Sequence, residues 1–223
     1  PETLTGFSDD DPVGSWTDSS GNGYTLTSSG TARPLYKDNY VNGLAALDFD
    51  GSNDILSSGS FSLSADVGIF AVVNLDVQKS YNTVGSIDNN SSPAYQTEFM
   101  NLMGYTDRFL VGNNASSSNR YYQFSNQKIS AAAWCILYGE YSATRIAFRV
   151  DGQQESERIS AAGTKATATG TAYIHIGYSG LGGSYLNGKI AEIVVFTPSA
   201  REEIWIEGYA ADKYGITLAQ GHL

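Results

Sequence analysis

At 223 residues, with 41% hydrophobic and 16% charged residues, the chain has the make-up of one large globular domain that buries its own core without staples. Its formal charge of −10, from 23 acidic against 13 basic residues, excludes nucleic acid and an anionic membrane surface as electrostatic partners. The single cysteine, Cys135, excludes an internal disulfide and a cysteine zinc site; a small, buried, inert core residue is expected.

No apolar run reaches the roughly 20 residues that span a bilayer, so membrane insertion is not expected. No signal peptide precedes Glu2, and Pro1 fits equally a chain that lost its initiator methionine and a trimmed one.

In chain order, residues 1–15 read as an arm, with a turn at Asp9-Asp10-Asp11-Pro12. Residues 16–24, Trp-Thr-Asp-Ser-Ser-Gly-Asn-Gly-Tyr, form a loop whose Gly21 and Gly23 supply positive φ. Residues 44–51 alternate, with Ala45, Leu47 and Phe49 on one face and Asp48 and Asp50 on the other, as in a half-buried strand. Residues 68–77 are almost continuously apolar and read as a central strand.

From Tyr81 to Phe124, short apolar segments are separated by Asn/Ser-rich stretches at 88–93 and 112–119, which read as loops. Strands follow at 134–141 and 144–150. Asp151-Gly152 closes a hairpin onto residues 153–159, because a two-residue turn needs positive φ. Residues 173–178 and 186–196 are strands around the glycine loop 180–184, and the two-sided apolarity of 190–196 predicts cover on both faces.

The spacing then predicts a helix over 199–215. Ser199 and Glu202 form a capping box, Gly215 and Ile216 a Schellman stop, and Ile204, Trp205, Gly208, Tyr209 and Ala211 an apolar stripe. Many short strands and one helix give an all-β, antiparallel sandwich in a single domain, residues 1–223.

Four segments in order carry a resemblance: 16–24; 47–54, Leu-Asp-Phe-Asp-Gly-Ser-Asn-Asp; 147–152, Ala-Phe-Arg-Val-Asp-Gly; and 176–193 with the helix end at 209–215. In these the chain resembles the laminin-G-like branch of the concanavalin A-like lectin/glucanase superfamily, as found in bacteriophage virion proteins and secreted bacterial adhesive proteins. The resemblance implies a jelly-roll β-sandwich and a recognition role in a virion or extracellular setting. The implied partners are a glycan or surface receptor, other virion proteins, or a second copy of the chain. A structural virion protein and a glycan-cleaving enzyme are the alternatives.

Glycan hydrolysis needs two flanking carboxylates. The superfamily's Glu-x-Asp-x-x-Glu signature has no counterpart, since Glu-x-Asp occurs nowhere in the chain. The pairs Asp48/Asp50 and Glu155/Glu157 read as exposed faces, and His175, sharing a face with Tyr173, as a polar residue on an open sheet face without a third partner. No catalytic residue is assigned. Glu192, alone in an apolar strand, is expected to be paired.

For binding, flat aromatic faces framed by amides are needed. Tyr81, Tyr95, Asn113, Tyr121 and Tyr122 gather beside the Asn/Ser stretches, and Tyr178 and Tyr185 bracket the glycine loop. These seven are the expected ligand contacts. No cofactor is expected. The superfamily leaves calcium open, but Asp9–Asp11, Asp18/Asn22 and Asp50/Asn53/Asp54 lack the spacing of a calcium loop, and Asx-turns account for them more simply.

Overall fold

The computed structural model describes residues 4–63, 66–77, 79, 81–89, 98–116, 119–128, 130–142, 145–159, 170–179, 184–198 and 202–219. It is an all-β jelly-roll sandwich of two antiparallel sheets with a single C-terminal α-helix.

One sheet has seven strands in the order Gln153–Ile159, Arg145–Val150, Trp134–Tyr141, Val67–Leu75, Asn187–Phe196, Leu44–Asp50 and Leu35–Val41. The other has nine. Its main path runs Ser15–Trp16, Leu26–Thr27, Leu56–Ser57, Gly170–Ile176, Asn82–Asp88, Glu98–Tyr105, Arg108–Ser116 and Asn119–Lys128, and Phe61–Leu63 pairs with Gly170–Ile176 off this path.

Val67–Leu75 lies at the centre of the seven-stranded sheet, buried at every position. Val67, Ile69, Ala71, Val73 and Leu75 enter the core between the sheets. Phe70 and Val72 face outward with Ala46, Ile136 and Ala191, where Ala210 and Tyr214 of the helix cover them. The two-sided apolarity of residues 190–196 has the same outcome: Ile190, Ile193 and Val195 pack inward, and Ala191, Val194 and Phe196 under the helix.

Asn187–Phe196 carries a bulge. Ile190 opposes Val73 and Glu192 opposes Val72, so Ala191 is the extra residue and the alternation changes phase there.

The Asp151-Gly152 turn has φ of 48° and 77°, both positive as a type I′ hairpin requires. Gly177, between two strands, has φ +86°, and a Cβ there would stand 2.5 Å from the Phe49 ring.

The helix spans Glu202–Tyr214. Its stop is as expected: Gly215 has φ +66°, and the Ile216 N–H donates to the Ala211 carbonyl at 3.1 Å. The Ser199 cap lies outside the described residues. The apolar stripe requires correction. The helix docks through Ile206, Glu207, Ala210, Ala211 and Tyr214, while Ile204, Trp205 and Tyr209 are exposed. A buried ion pair explains the phase: Glu207, fully buried, holds the Arg149 Nε of the sheet at 2.9 Å, and Arg149 also donates to the Gly152 carbonyl.

The loop expected over 112–119 is also corrected at 112–116 and 119, with Ser117 and Ser118 outside the described residues. Arg108–Ser116 and Asn119–Lys128 are strands, paired from Arg108↔Lys128 to Ser116↔Asn119, so partners on both sides override the loop-like composition. Residues 7–12 run along the edge of Leu35–Val41: Pro12 bridges Leu35, the Asp10 N–H donates to the Tyr36 carbonyl, and Phe7 stacks on Tyr36.

Candidate functional site

The sandwich opens along one edge, and the cause is a difference in strand length. Leu44–Asp50 pairs with Asn187–Phe196 only from Asn187 to Ile190; beyond the bulge, residues 192–196 are paired only with Val67–Leu75. Facing this stretch, the nine-stranded sheet ends in the two-residue strands Ser15–Trp16, Leu26–Thr27 and Leu56–Ser57. A cleft of about 500 Å³ lies between them, within the size range of ligand sites.

Its floor is apolar, with Ile174, Ile176, Ile193 and Val195. Trp16, Tyr24 and Phe61 are its aromatic walls. The Tyr24 and Phe61 rings are 5.2 Å apart at 50°, and Tyr24 remains exposed. Thr17, Asp18, Ser19, Ser20 and Asn22 form one lip; Glu192, Lys213 and Tyr214 form the other.

Asp18 holds its lip together. Its carboxylate accepts from Ser20 N–H and Oγ at 2.8 Å and from Tyr24 N–H at 3.0 Å. Desolvation pushes its pKa upward, but these hydrogen bonds outweigh it and hold the carboxyl below the usual value. On the other lip, Lys213 Nζ meets Glu192 at 3.1 Å and the Tyr209 hydroxyl at 2.6 Å, and that hydroxyl also reaches Glu192 at 3.3 Å. Burial, reinforced by the Glu192 charge, pushes the Tyr214 hydroxyl well up.

Glu192 is paired, as expected. An acid catalyst needs a carboxyl whose pKa is raised to keep its proton. Asp18 is shifted the other way and Glu192 is paired with a lysine, so the cleft offers aromatic faces and fixed hydrogen-bonding groups instead.

The tyrosines chosen from sequence lie elsewhere. Tyr178 and Tyr185 oppose each other on a small ribbon, their half-buried rings 4.4 Å apart. Tyr81 and Tyr122 pack, half-buried, against Met103 and Leu110. Asn113 and Tyr121 are register partners on adjacent strands. Tyr95 lies outside the described residues. None of the placed ones lines the cleft. Two signals pointed there unused: the single acid in an otherwise apolar strand, and the aromatic pair bounding residues 16–24.

Of the acids expected on exposed faces, Asp50 is exposed, whereas half-buried Asp48 and buried Glu155 are corrections; the Glu157 side chain lies outside the described residues. Glu155 is buried, and its carboxylate accepts the backbone N–H groups of Asn126 at 2.6 Å and Gln127 at 2.9 Å. Asp48 stands 3.5 Å from Lys189 and 3.9 Å from Lys37; burial raises its pKa against these cations. Asp50 caps its own turn through the N–H groups of Ser52 and Asn53.

His175 is corrected too. It is fully buried, with Ser57 Oγ at 2.8 Å from Nδ1 and Asp88 Oδ1 at 3.4 Å from Nε2. It faces away from the core side of its strand, where Ile174 and Ile176 point, and His175, Ser57 and Asp88 are all absent from the cleft lining. Cys135 is half-buried against the core, and burial together with the Asp151 charge pushes its thiol well up, away from the thiolate a nucleophile needs.

The oxygen-rich clusters serve the backbone. Asp11 accepts from Ser8 N–H, Asp9 from Asp38 N–H, and Asp54 from Asp50 N–H. Among the described residues, no three His, Cys, Asp or Glu side chains gather as a metal site.

No protein-family model and no curated protein matches the chain. Solved structures do. Domain 4 of AbnA, a GH43 extracellular arabinanase from Geobacillus stearothermophilus, in complex with arabinotriose, aligns with TM-score 0.58 at 15% identity over 85% of this chain and 94% of that one. The CBM40 of the Ruminococcus gnavus IT-sialidase, bound to α2,3-sialyllactose, aligns with TM-score 0.54 at 11% identity over 78% and 98%. The receptor-binding domain of botulinum neurotoxin D aligns with TM-score 0.59 at 10% identity over 88% and 50%. At these identities the shared property is the fold.

Proposed function

We propose that the chain is a non-enzymatic recognition module that binds a neutral glycan, free or on a surface receptor, in the cleft at the open edge of the sandwich. The observation that carries this is the cleft's composition: the exposed Tyr24 and half-buried Phe61 rings, backed by the buried Trp16, beside a lip of hydroxyl and amide groups that Asp18 braces from within. Aromatic faces take the C–H face of a sugar, and the preformed polar lip fixes its hydroxyls.

Two similar structures, bound to arabinotriose and to sialyllactose, support a glycan as the ligand. The net charge of −10 favours a neutral one. Within the fold, the segments 16–24, 47–54 and 147–152 are our grounds for the laminin-G-like branch. The setting we infer is extracellular or on a virion.

A glycan array followed by calorimetric titration tests this. Tyr24→Ala and Phe61→Ala are each expected to weaken binding of the best array glycan about tenfold, the size of one lost aromatic contact of roughly 1.4 kcal/mol. A silent array overturns the proposal. Affinity that falls in Tyr122→Ala or Tyr178→Ala, and not in Tyr24→Ala, moves the site to the tyrosines outside the cleft.

A further inference from the structure

The helix turns two large aromatic side chains away from the protein. Trp205 is 79% exposed and Tyr209 48%, although the helix has a sheet to bury them against. They are four residues apart and so share one side of the helix, about 6 Å apart along its axis. Gly208, between them in sequence, adds no side chain, and among the described residues no heavy atom stands within 4 Å of where its Cβ would be.

Tyr209 also fixes which side this is. Its hydroxyl bonds Glu192 and Lys213, both of which line the cleft. From Lys213 the path runs to Tyr209 and, one turn further, to Trp205, about 12 Å along the axis in all.

Resting on the reading of the cleft as a glycan site, we propose that Trp205 is an outer subsite. The ligand is then an extended oligosaccharide chain of several units, its inner end in the cleft and its outer end stacked on the Trp205 indole beyond Tyr209. The occupant follows from continuity with the cleft and from charge. Apart from the buried, Arg149-paired Glu207, the helix carries Glu202, Glu203 and Asp212 against one Lys213, which disfavours anionic headgroups and nucleic acid, while a neutral chain meets no penalty. An isolated sugar in the cleft would not touch Trp205.

The test uses the full chain and the neutral glycan scoring highest on the array, as its trisaccharide and its hexasaccharide. Trp205→Ala is expected to weaken the hexasaccharide about tenfold and to leave the trisaccharide within twofold. Trp205→Phe restores most of the loss, and hexasaccharide binding blue-shifts the tryptophan emission in the parent but not in Trp205→Ala. An unchanged thermal midpoint shows that the exposed side chain was not holding the fold.

Equal effects on both lengths, or on neither, overturn the subsite. If Tyr24→Ala still weakens binding about tenfold in that case, the cleft reading stands alone. Binding that needs Trp205 but ignores Tyr24 overturns the cleft reading, and the continuity with it. Trp205-dependent self-association or uptake by neutral lipid vesicles, without glycan dependence, assigns the aromatic pair to a protein or membrane contact and overturns the proposal.

Discussion

The strand Val67–Leu75 and the stretch 192–196 are hydrogen-bonded neighbours in one sheet, yet they end in opposite situations. The first has a partner on each edge and a layer on each face, and its nine residues are all buried. The second has lost Leu44–Asp50 from one edge and looks across at strands of two residues, so Ile193 and Val195 remain half-buried in a cleft. The side chains are of the same kind in both. What separates a closed core from an open cleft here is how far the flanking strands extend.

The sharpest way to break this comparison is at the closed region. Phe148, fully buried with its ring 6.4 Å from that of Phe109, is expected to cost about 3–5 kcal/mol as Phe148→Ala, read by urea unfolding. Loss below 1 kcal/mol would mean the sheets are not packed as described.

Next is the anchor of the helix. Glu207→Gln leaves the Arg149 charge without its carboxylate at the helix–sheet junction and should cost about 3 kcal/mol, whereas Glu207→Leu with Arg149→Met should recover most of it. Equal losses in the single and double variants would assign the cost to helix packing alone.

The smallest effect concerns pH. Burial is the main cause lifting Asp54 from 3.8 to about 6, opposed by the hydrogen bond from Asp50 N–H. A carboxyl with a raised folded pKa binds its proton more tightly folded than unfolded, so stability should rise as pH falls through about 6 towards 3.8. Asp54→Asn should flatten the curve in that window, as compared by chemical unfolding from pH 7 to 4.5; an unchanged slope would contradict it.

Local signals were read correctly where the physics is local. Gly215 and Ile216 stop the helix through contacts within five residues, and Asp151-Gly152 turns through its own φ angles. Reading failed where the deciding partner is distant. Residues 112–116 look like loop until the strands on either side of Arg108–Ser116 pair with it. Glu155 looks exposed by alternation, but is claimed by backbone N–H groups at Asn126 and Gln127. The helix has apolar residues on two faces, and the buried one is the face whose Glu207 meets Arg149 and whose Tyr214 meets the Ala191 carbonyl, partners far off in sequence. The cleft was the least legible of all, because it is made by where a strand stops pairing and no single motif records that.

The extra residue at Ala191 has consequences for insertions and deletions. With strict alternation continuing from Ile190, the carboxylate of Glu192 would point into the oily interior and Ile193 away from it. Removing one residue would regularise the ribbon but seat the acid in Ala191's dry place beneath Tyr214. Length changes that neighbouring turns absorb are therefore barred at this position, where one surplus peptide unit keeps grease on one side and charge on the other.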